Sequence, residues 1–338
     1  MNEYMDIIDF ILSHEYLFRG YRGWKRSFYW YWFTFIILRK EKVSLSQGFF
    51  FILQQFLASG FLKSLTIIPN FLKIKKGSIN GYYVQKFFNG VFGNLPISPV
   101  NLFGKKFYYL SDDNISWATK YYAFYSFICL VWETIIQDQY CSKELVKEGD
   151  VVIDAGSHIA DFASLVASLS PLNRVYAFEP SLKINYLAKK NIAEYNNINL
   201  YNEALGEKNE STKFMAGNEV SIWGGDAVAT SEFLKNRGDQ FEESYNVDII
   251  TIDSFVKDAG LDRVDFIKID TEGFEKEIIR GASETIKKFF PIIACSAYHL
   301  KNDKVDIPKL VLSINPNYKY RLETRGEEDF IFIPKNKS

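Results

Sequence analysis

Sulfur and imidazole side chains are scarce in this sequence. Among 338 residues there are three cysteines, Cys129, Cys141 and Cys295, and three histidines, His14, His158 and His299. An odd number of cysteines without metal-ligand spacing argues against a disulfide framework and a zinc site, and fits a reducing compartment. Three scattered histidines exclude any mechanism that needs several imidazoles. A secretory leader is missing too, because Met1-Asn2-Glu3-Tyr4-Met5-Asp6 is acidic and polar where a basic start and an apolar core are required. The sequence therefore points to the cytoplasmic side. Long apolar runs are also lacking. The uncharged run from Ser27 to Leu38 is shorter than the roughly 20 residues that a spanning helix needs. Gly48 to Leu72 is interrupted by Gln54, Gln55, Ser59, Lys63 and Ser64, which favours a buried or interfacial helix over a spanning one.

What is present is an ordinary globular composition, 47% hydrophobic and 24% charged, long enough for a catalytic domain and an N-terminal extension. The net charge of -1 hides an asymmetry: residues 1–120 carry 15 Lys and Arg against 7 Asp and Glu, and the remainder 25 against 34. Arg19, Arg22, Trp24, Lys25 and Arg26 precede an aromatic run from Phe28 to Phe33. Aromatic rings beside cations suit the headgroup region of an anionic membrane, so residues 1–72 are expected either to touch a membrane peripherally or to pack as a helical cap. The boundary is expected near 115, with 1–115 mainly helical and 116–338 catalytic. Gly77 to Phe107 reads as an irregular or β-rich connection, and Ser116 to Glu144 as a helix with apolar residues three and four apart.

Beyond it, strands and helices alternate. Strands are expected at Val151–Ile153, Arg174–Phe178, Asn199–Asn202, Val247–Ile252, Phe266–Ile269 and Pro291–Ala297, and helices at Asp161–Leu169, Leu182–Glu194 and Glu275–Phe289. This rhythm predicts an α/β fold with a parallel sheet covered on both faces, whose ligands bind outside the carboxyl ends of the strands. Asp154, Glu179, Asp270 and Tyr298-His299 fall at those ends. After the first strand, Asp154-Ala155-Gly156-Ser157-His158-Ile159-Ala160 turns into a helix, where glycine permits close backbone approach and the helix N-terminus offers amides to an anion. Glu179, 25 positions after Asp154, can accept hydrogen bonds from ribose hydroxyls. Turn and acid together define a nucleoside-cofactor site. Only Gly156 stands at the turn, without Gly-x-Gly-x-x-Gly, which disfavours a nicotinamide-dependent oxidoreductase.

These residues resemble a known family. Val151 to Ala160, Val175 to Pro180, Asn202-Glu203-Ala204-Leu205-Gly206, Ile250 to Phe255, Asp265 to Gly273 and Gly281-Ala282 look like FkbM-type S-adenosylmethionine-dependent methyltransferases. The most specific element is Ile267-Lys268-Ile269-Asp270-Thr271-Glu272-Gly273-Phe274-Glu275, and the likeness runs from about Tyr140 to Pro334. It implies a Rossmann-like class I methyltransferase with a mostly parallel seven-stranded sheet, and S-adenosylmethionine as cofactor. Asp154 and Gly156, with Ser157 and His158 in the same turn, would lie against its methionine part, Glu179 would hold the ribose, Glu203-Ala204 would sit by the adenine, and Asp270 would border the transfer centre. O-methylation of a sugar, glycan or glycolipid-like hydroxyl is the implied reaction. The family turn usually reads Gly-Ala-Asn-x-Gly, whereas Gly156-Ser157-His158-Ile159-Ala160 stands here. That departure keeps a catalytically degenerate binding or scaffold protein as the alternative.

Methyl transfer from a sulfonium needs alignment and a base for the hydroxyl proton. His299 is the first candidate, with Asp270 and Glu272 as alternative bases or substrate anchors; the spacing specifies no metal. Lys268 reads as structural, Glu275 as first-turn charge of a helix, and Asp253 as a helix cap. The segment from Glu207 to Asn246, with Trp223-Gly224-Gly225, is expected to shape substrate access, as is the stretch from Tyr298 to Pro308. The acidic catalytic part disfavours nucleic acid as a partner.

Overall fold

A computed structural model describes residues 6–9, 99–109, 127, 130–216, 227–228 and 243–336. The expectations for the aromatic and basic run, for residues 48–72, for most of 77–107 and for Trp223-Gly224-Gly225 lie outside them. Among the described residues, no helix is long and apolar enough to cross a membrane. The chain divides into two units, residues 1–100 with 112–122, and residues 101–111 with 123–338. In the first, Asp6 accepts hydrogen bonds from the backbone of Ile8 and Asp9, 3.0 and 3.2 Å away.

In the second unit, Asn191 ties down Tyr108. Its side chain accepts from Tyr108 N at 2.6 Å and donates to Tyr108 O at 3.0 Å. The elements begin with β1 (Val100–Leu102) and β2 (Lys105–Phe107). The helix expected from Ser116 to Glu144 is interrupted: a π-helical segment spans Val131–Ile136, and α1 is only Ser142–Leu145. Asp138 causes the break, with its carboxylate accepting from Ser142 N at 2.8 Å and Lys143 N at 3.0 Å.

There follow β3 (Val151–Ala155), α2 (Asp161–Leu169), β4 (Arg174–Phe178), α3 (Leu182–Asn191), β5 (Ile198–Tyr201), β6 (Ala204–Leu205), β7 (Glu210–Ala216), β8 (Ala227–Val228) and β9 (Glu243–Ile250). The chain continues through α4 (Ile252–Asp258), β10 (Phe266–Ile269), α5 (Glu275–Arg280), α6 (Ser283–Phe289), β11 (Ile292–Ser296), α7 (Asp303–Ile314), β12 (Tyr318–Glu323) and β13 (Asp329–Pro334). The main sheet has seven strands in the order β12-β13-β11-β10-β3-β4-β5. Its five strands from β5 to β11 are parallel, and β13 and β12 complete it antiparallel. This is the Rossmann-like class I methyltransferase architecture that the motifs imply.

Every residue of β3, β10 and β11 is buried, as strands covered on both faces require. On one face Ile153, Ala155, Ile267, Ile269 and Ile293 pack with Ile278, Ile286 and Val311. On the other, Val152, Val175, Phe266 and Ala294 pack with Phe162, Ala163, Val166 and Ala188. Asp154 and Lys268 continue this second face, the only charged residues in β3 and β10.

Of the strand expected at Val247–Ile252, residues 247–250 end β9, which belongs not to the main sheet but to a separate sheet of order β6-β9-β7-β8, and Ile252 opens α4. The period of β9 is two: Val247 and Ile249 are buried with Phe214 and Ala204, while Ser244, Asn246 and Asp248 are exposed. That alternation suits an antiparallel strand with one wet face, and β9 pairs with β7 accordingly. Part of the expected access segment is therefore regular sheet. The helix expected at Glu275–Phe289 is two helices. They part at Gly281, where a Cβ would lie 1.9 Å from Gly206 O. From Asp303 onward the stretch expected to line the mouth is α7, which contains Pro308. Burial of Ile307 and Val311 outweighs the roughly 3 kcal/mol that an internal proline costs a helix.

Asp253 does cap a helix, but a different one. Thr251 caps α4 through its Oγ1, and the Asp253 carboxylate accepts from Glu284 N and Thr285 N, 2.9 and 2.8 Å away, at the start of α6. Asp253→Ala is expected to lower stability by about 1–2 kcal/mol in chemical denaturation, the usual worth of a lost cap.

Candidate active site

Strand order reverses between β3 and β10, where a doubly wound sheet opens a crevice at its carboxyl edge. The β3 strand leads into a turn with three left-handed residues, Gly156 (φ 74), His158 (φ 52) and Ala160 (φ 66). Glycine is required at 156 for two reasons. The backbone is left-handed, and a Cβ would stand 1.9 Å from Asp270 O. Ala160, as N-cap of α2, carries a side chain where glycine is the usual occupant. Gly156 N and Ser157 N both donate to Phe178 O, at 3.1 and 2.9 Å, locking the turn to β4.

Glu179 follows β4 and is 8% exposed. His158 N donates to its Oε2 and Ser181 N to its Oε1, each at 2.9 Å. Asn185 and Asn202 donate to its backbone carbonyl at 3.0 and 2.8 Å. Turn and acid are thus one hydrogen-bonded assembly. Glu203 follows β5, and Ala204 begins β6 with its side chain buried against Phe214, Val247 and Ile249. Beside the turn, Asp154 Oδ2, Ser157 Oγ and His158 Nε2 are buried without hydrogen-bond partners among the described residues. Burial raises the Asp154 pKa, while nearby Lys268 opposes the rise. Burial, with the Lys268 charge, pushes His158 down to about 4, so its ring is neutral at pH 7.

Across the crevice, Asp270 follows β10 and Tyr298-His299 follow β11. Tyr140 Oη donates to Asp270 Oδ2 at 2.7 Å, and Tyr298 Oη to Oδ1 at 3.4 Å. His299 Nδ1 is 3.0 Å from Glu275 Oε1, and its Nε2 stands 3.7 Å from both Asp270 Oδ1 and Glu272 Oε2. Glu272 reaches this position from a left-handed backbone, φ 56. Asp270, Glu275 and His299 place one ligand atom each within 4.8 Å of one another, a set with the composition of a cation site. Glu275 Oε1, however, already accepts from Thr271 N and Gly273 N at 2.9 and 3.2 Å, so it serves the turn. Burial raises the Asp270 pKa, but Lys268, His299 and the Tyr140 hydrogen bond outweigh it, and the carboxyl lies below its ordinary value.

For His299, burial is unfavourable to the charged ring, but the hydrogen-bonded Glu275 carboxylate, with Asp270 and Glu272, lifts its pKa to about 10. The imidazole therefore carries its proton at neutral pH. The folded pKa is above the unfolded value of about 6.5, so this stabilisation is complete below about pH 6.5 and is lost as pH rises through about 10. Denaturation free energies measured from pH 6.5 to 10 are expected to fall with pH, and His299→Gln to flatten the slope.

Several members of this assembly were not legible as site residues. Tyr140 precedes the strand-turn motif and carries no local signal. Asn185 and Asn202 look like ordinary helix and loop residues. Lys268 gave one clue, a charge inside an apolar strand.

Comparison with known proteins gives the family. The profile of the Methyltransferase FkbM domain matches residues 154–322, half of the chain. The chain belongs to the FkbM methyltransferase family. It is similar to the 2-O-methyltransferase NoeI of Sinorhizobium fredii, 23% identical over 150 residues, covering 43% of this chain and 62% of NoeI. It is also similar to the AMB antimetabolite synthetase AmbE of Pseudomonas aeruginosa, 23% identical over 184 residues, 46% of this chain and 9% of AmbE. The chain thus spans less than two thirds of either curated relative. Among solved structures, the FkbM methyltransferase from Methylobacillus flagellatus aligns with a TM-score of 0.42 at 20% identity, covering 66% of this chain and 56% of that one. Aeropyrum pernix fibrillarin, solved with S-adenosyl-L-methionine, aligns with a TM-score of 0.35 at 12% identity, covering 61% and 73%. The FkbM family motifs occupy the carboxyl edge of the sheet, with Asp154, Gly156, Glu179 and Asp270 around one crevice.

Proposed function

We propose that this FkbM-family protein is an S-adenosylmethionine-dependent O-methyltransferase acting on a hydroxyl of a sugar, glycan or glycolipid-like acceptor. The observation that carries the reading is the joining of Glu179 to the Gly156–Ala160 turn by the His158 N hydrogen bond, opposite an ionised Asp270 on the neighbouring strand end. The buried polar atoms of Asp154, Ser157 and His158 fit a polar, partly cationic ligand, since such groups need partners. That NoeI is a 2-O-methyltransferase supports oxygen as the accepting atom.

When bound, S-adenosylmethionine supplies a methyl group on a sulfonium. Glu179 would accept from the ribose hydroxyls, its carboxylate oriented by two backbone donors. The start of α2 would offer backbone amides to the methionine carboxylate, those of Gly156, Ser157, His158 and Ala160 being engaged within the fold. Asp270 receives the acceptor proton. A carboxylate of lowered pKa suffices, because a hydroxyl becomes strongly acidic as its oxygen gains a methyl. His299, already protonated, is the cation that holds Asp270 and Glu272 in place and not the base. Glu272 is left to accept from a second hydroxyl of a polyol.

The second reading, a degenerate scaffold, draws on the left-handed Ala160 and His158 at the turn. Isothermal titration of the purified chain with S-adenosylmethionine separates the two. Micromolar binding, followed by methylated product from glycan and glycolipid acceptors, supports the enzyme; no binding leaves the scaffold.

A further inference from the structure

Lys268 is the one charged side chain of β10, lies in the centre of the main sheet and is 4% exposed. Buried lysines occur almost only with partners, and the register supplies one, for Lys268 is the direct parallel-strand neighbour of Asp154. Its Nζ stands 3.2 Å from Asp154 Oδ1. It also donates to Gly156 O at 2.6 Å and to Ala155 O at 3.5 Å. The Tyr140 ring closes over the ammonium, 5.5 Å from centroid to Nζ.

These contacts clamp the turn from one side while Asp270 holds it from the other. Asp270 N donates to Ala155 O at 3.1 Å, and the Asp270 carbonyl blocks the space where Gly156 would carry a Cβ. With the carbonyls of Ala155 and Gly156 drawn inward, the chain reaches α2 through left-handed His158 and Ala160 without a second glycine to relax it. An ammonium in this position replaces flexibility with a fixed hydrogen-bonded anchor.

We propose that Lys268 is the positioning residue of the cofactor-binding turn, setting its affinity for the methionine part of S-adenosylmethionine by fixing the carbonyls of Ala155 and Gly156 and the carboxylate of Asp154. The inference deepens the proposed function and rests on that reading of the crevice. Lys268 does not act on the acceptor. Its loss is read as a change in cofactor affinity.

The test uses the full chain as wild type, Lys268→Met, Lys268→Gln and Asp253→Ala, the last a cap variant remote in role from the turn. Amide hydrogen exchange without ligand reads the anchor directly. Lys268→Met is expected to lose protection selectively across residues 154–161, with Lys268→Gln, which keeps a donor for Gly156 O, in between. In titrations with S-adenosylmethionine, Lys268→Met is expected to bind about 10- to 100-fold more weakly, the usual effect of leaving a buried acceptor without its partner. Asp253→Ala is expected to lose stability without this change. Exchange that rises evenly over the unit, or a loss of affinity no greater than in Asp253→Ala at equal loss of melting temperature, overturns the proposal. If Lys268→Met fails to fold, Lys268→Gln decides by the same two readouts. Wild-type protein that binds no S-adenosylmethionine refutes the cofactor reading, and the exchange pattern still decides whether Lys268 anchors the turn.

Discussion

Glu179→Ala is expected to weaken S-adenosylmethionine binding by about 10²- to 10⁴-fold, because hydrogen bonds to a charged acceptor are worth roughly 1.5–3 kcal/mol each and two ribose hydroxyls would lose theirs. Titration calorimetry measures it. The substitution also strips the partners of His158 N and Ser181 N. Part of the loss would therefore reach the turn through its backbone. Glu179→Gln separates the contributions: an amide oxygen still accepts from one of these donors, but the charge is gone and its NH₂ opposes the other. A variant that binds as well as the wild type would remove Glu179 from the cofactor site, whatever its place in the fold.

The second large effect is on turnover. Asp270→Asn is expected to lower kcat by about 10²- to 10⁴-fold, the usual contribution of a positioned proton acceptor, while the dissociation constant for S-adenosylmethionine changes far less. Asparagine preserves the shape and can still meet Tyr140, but it cannot take a proton. The pH dependence carries the same information. Because Lys268, His299 and Tyr140 outweigh the burial penalty on Asp270, its pKa lies below the ordinary carboxylate value, and wild-type activity should fall on this group's account only when pH drops beneath that range. An Asp270→Asn enzyme with normal kcat would transfer the base role elsewhere. His299 would be a poor heir, since its ring already holds a proton up to about pH 10.

Both predictions depend on residues that local pattern exposes well. Buried parallel strands are continuous apolar runs, so β3, β4, β10 and β11 are visible as such, and a polar residue closing each run marks the carboxyl edge. Asp154, Glu179, Asp270 and His299 stand out for that reason. The antiparallel end of the main sheet was harder to see. In β12 the side chains from Lys319 to Leu322 are exposed, so no apolar pattern distinguishes this edge strand from a loop. The β9 strand shows its alternation in sequence, but alternation does not say which sheet it joins. Asp253 was recognisable as a cap, whereas the helix it caps lies about 30 residues onward and is reached only when α4 and α6 pack together.

By itself the sequence determined the class of the fold, the family and the strand ends that carry the chemistry, because period, burial and turn residues are local properties. It left open who meets whom at the crevice. Register across β3 and β10 set Lys268 beside Asp154, and the packing of the segment before β3 brought the Tyr140 hydroxyl to Asp270. The same convergence surrounded His299 with three carboxylates, which raise its pKa. Protonation in a buried cluster depends on the summed field of groups distant along the chain, and only the tertiary structure fixes their separations.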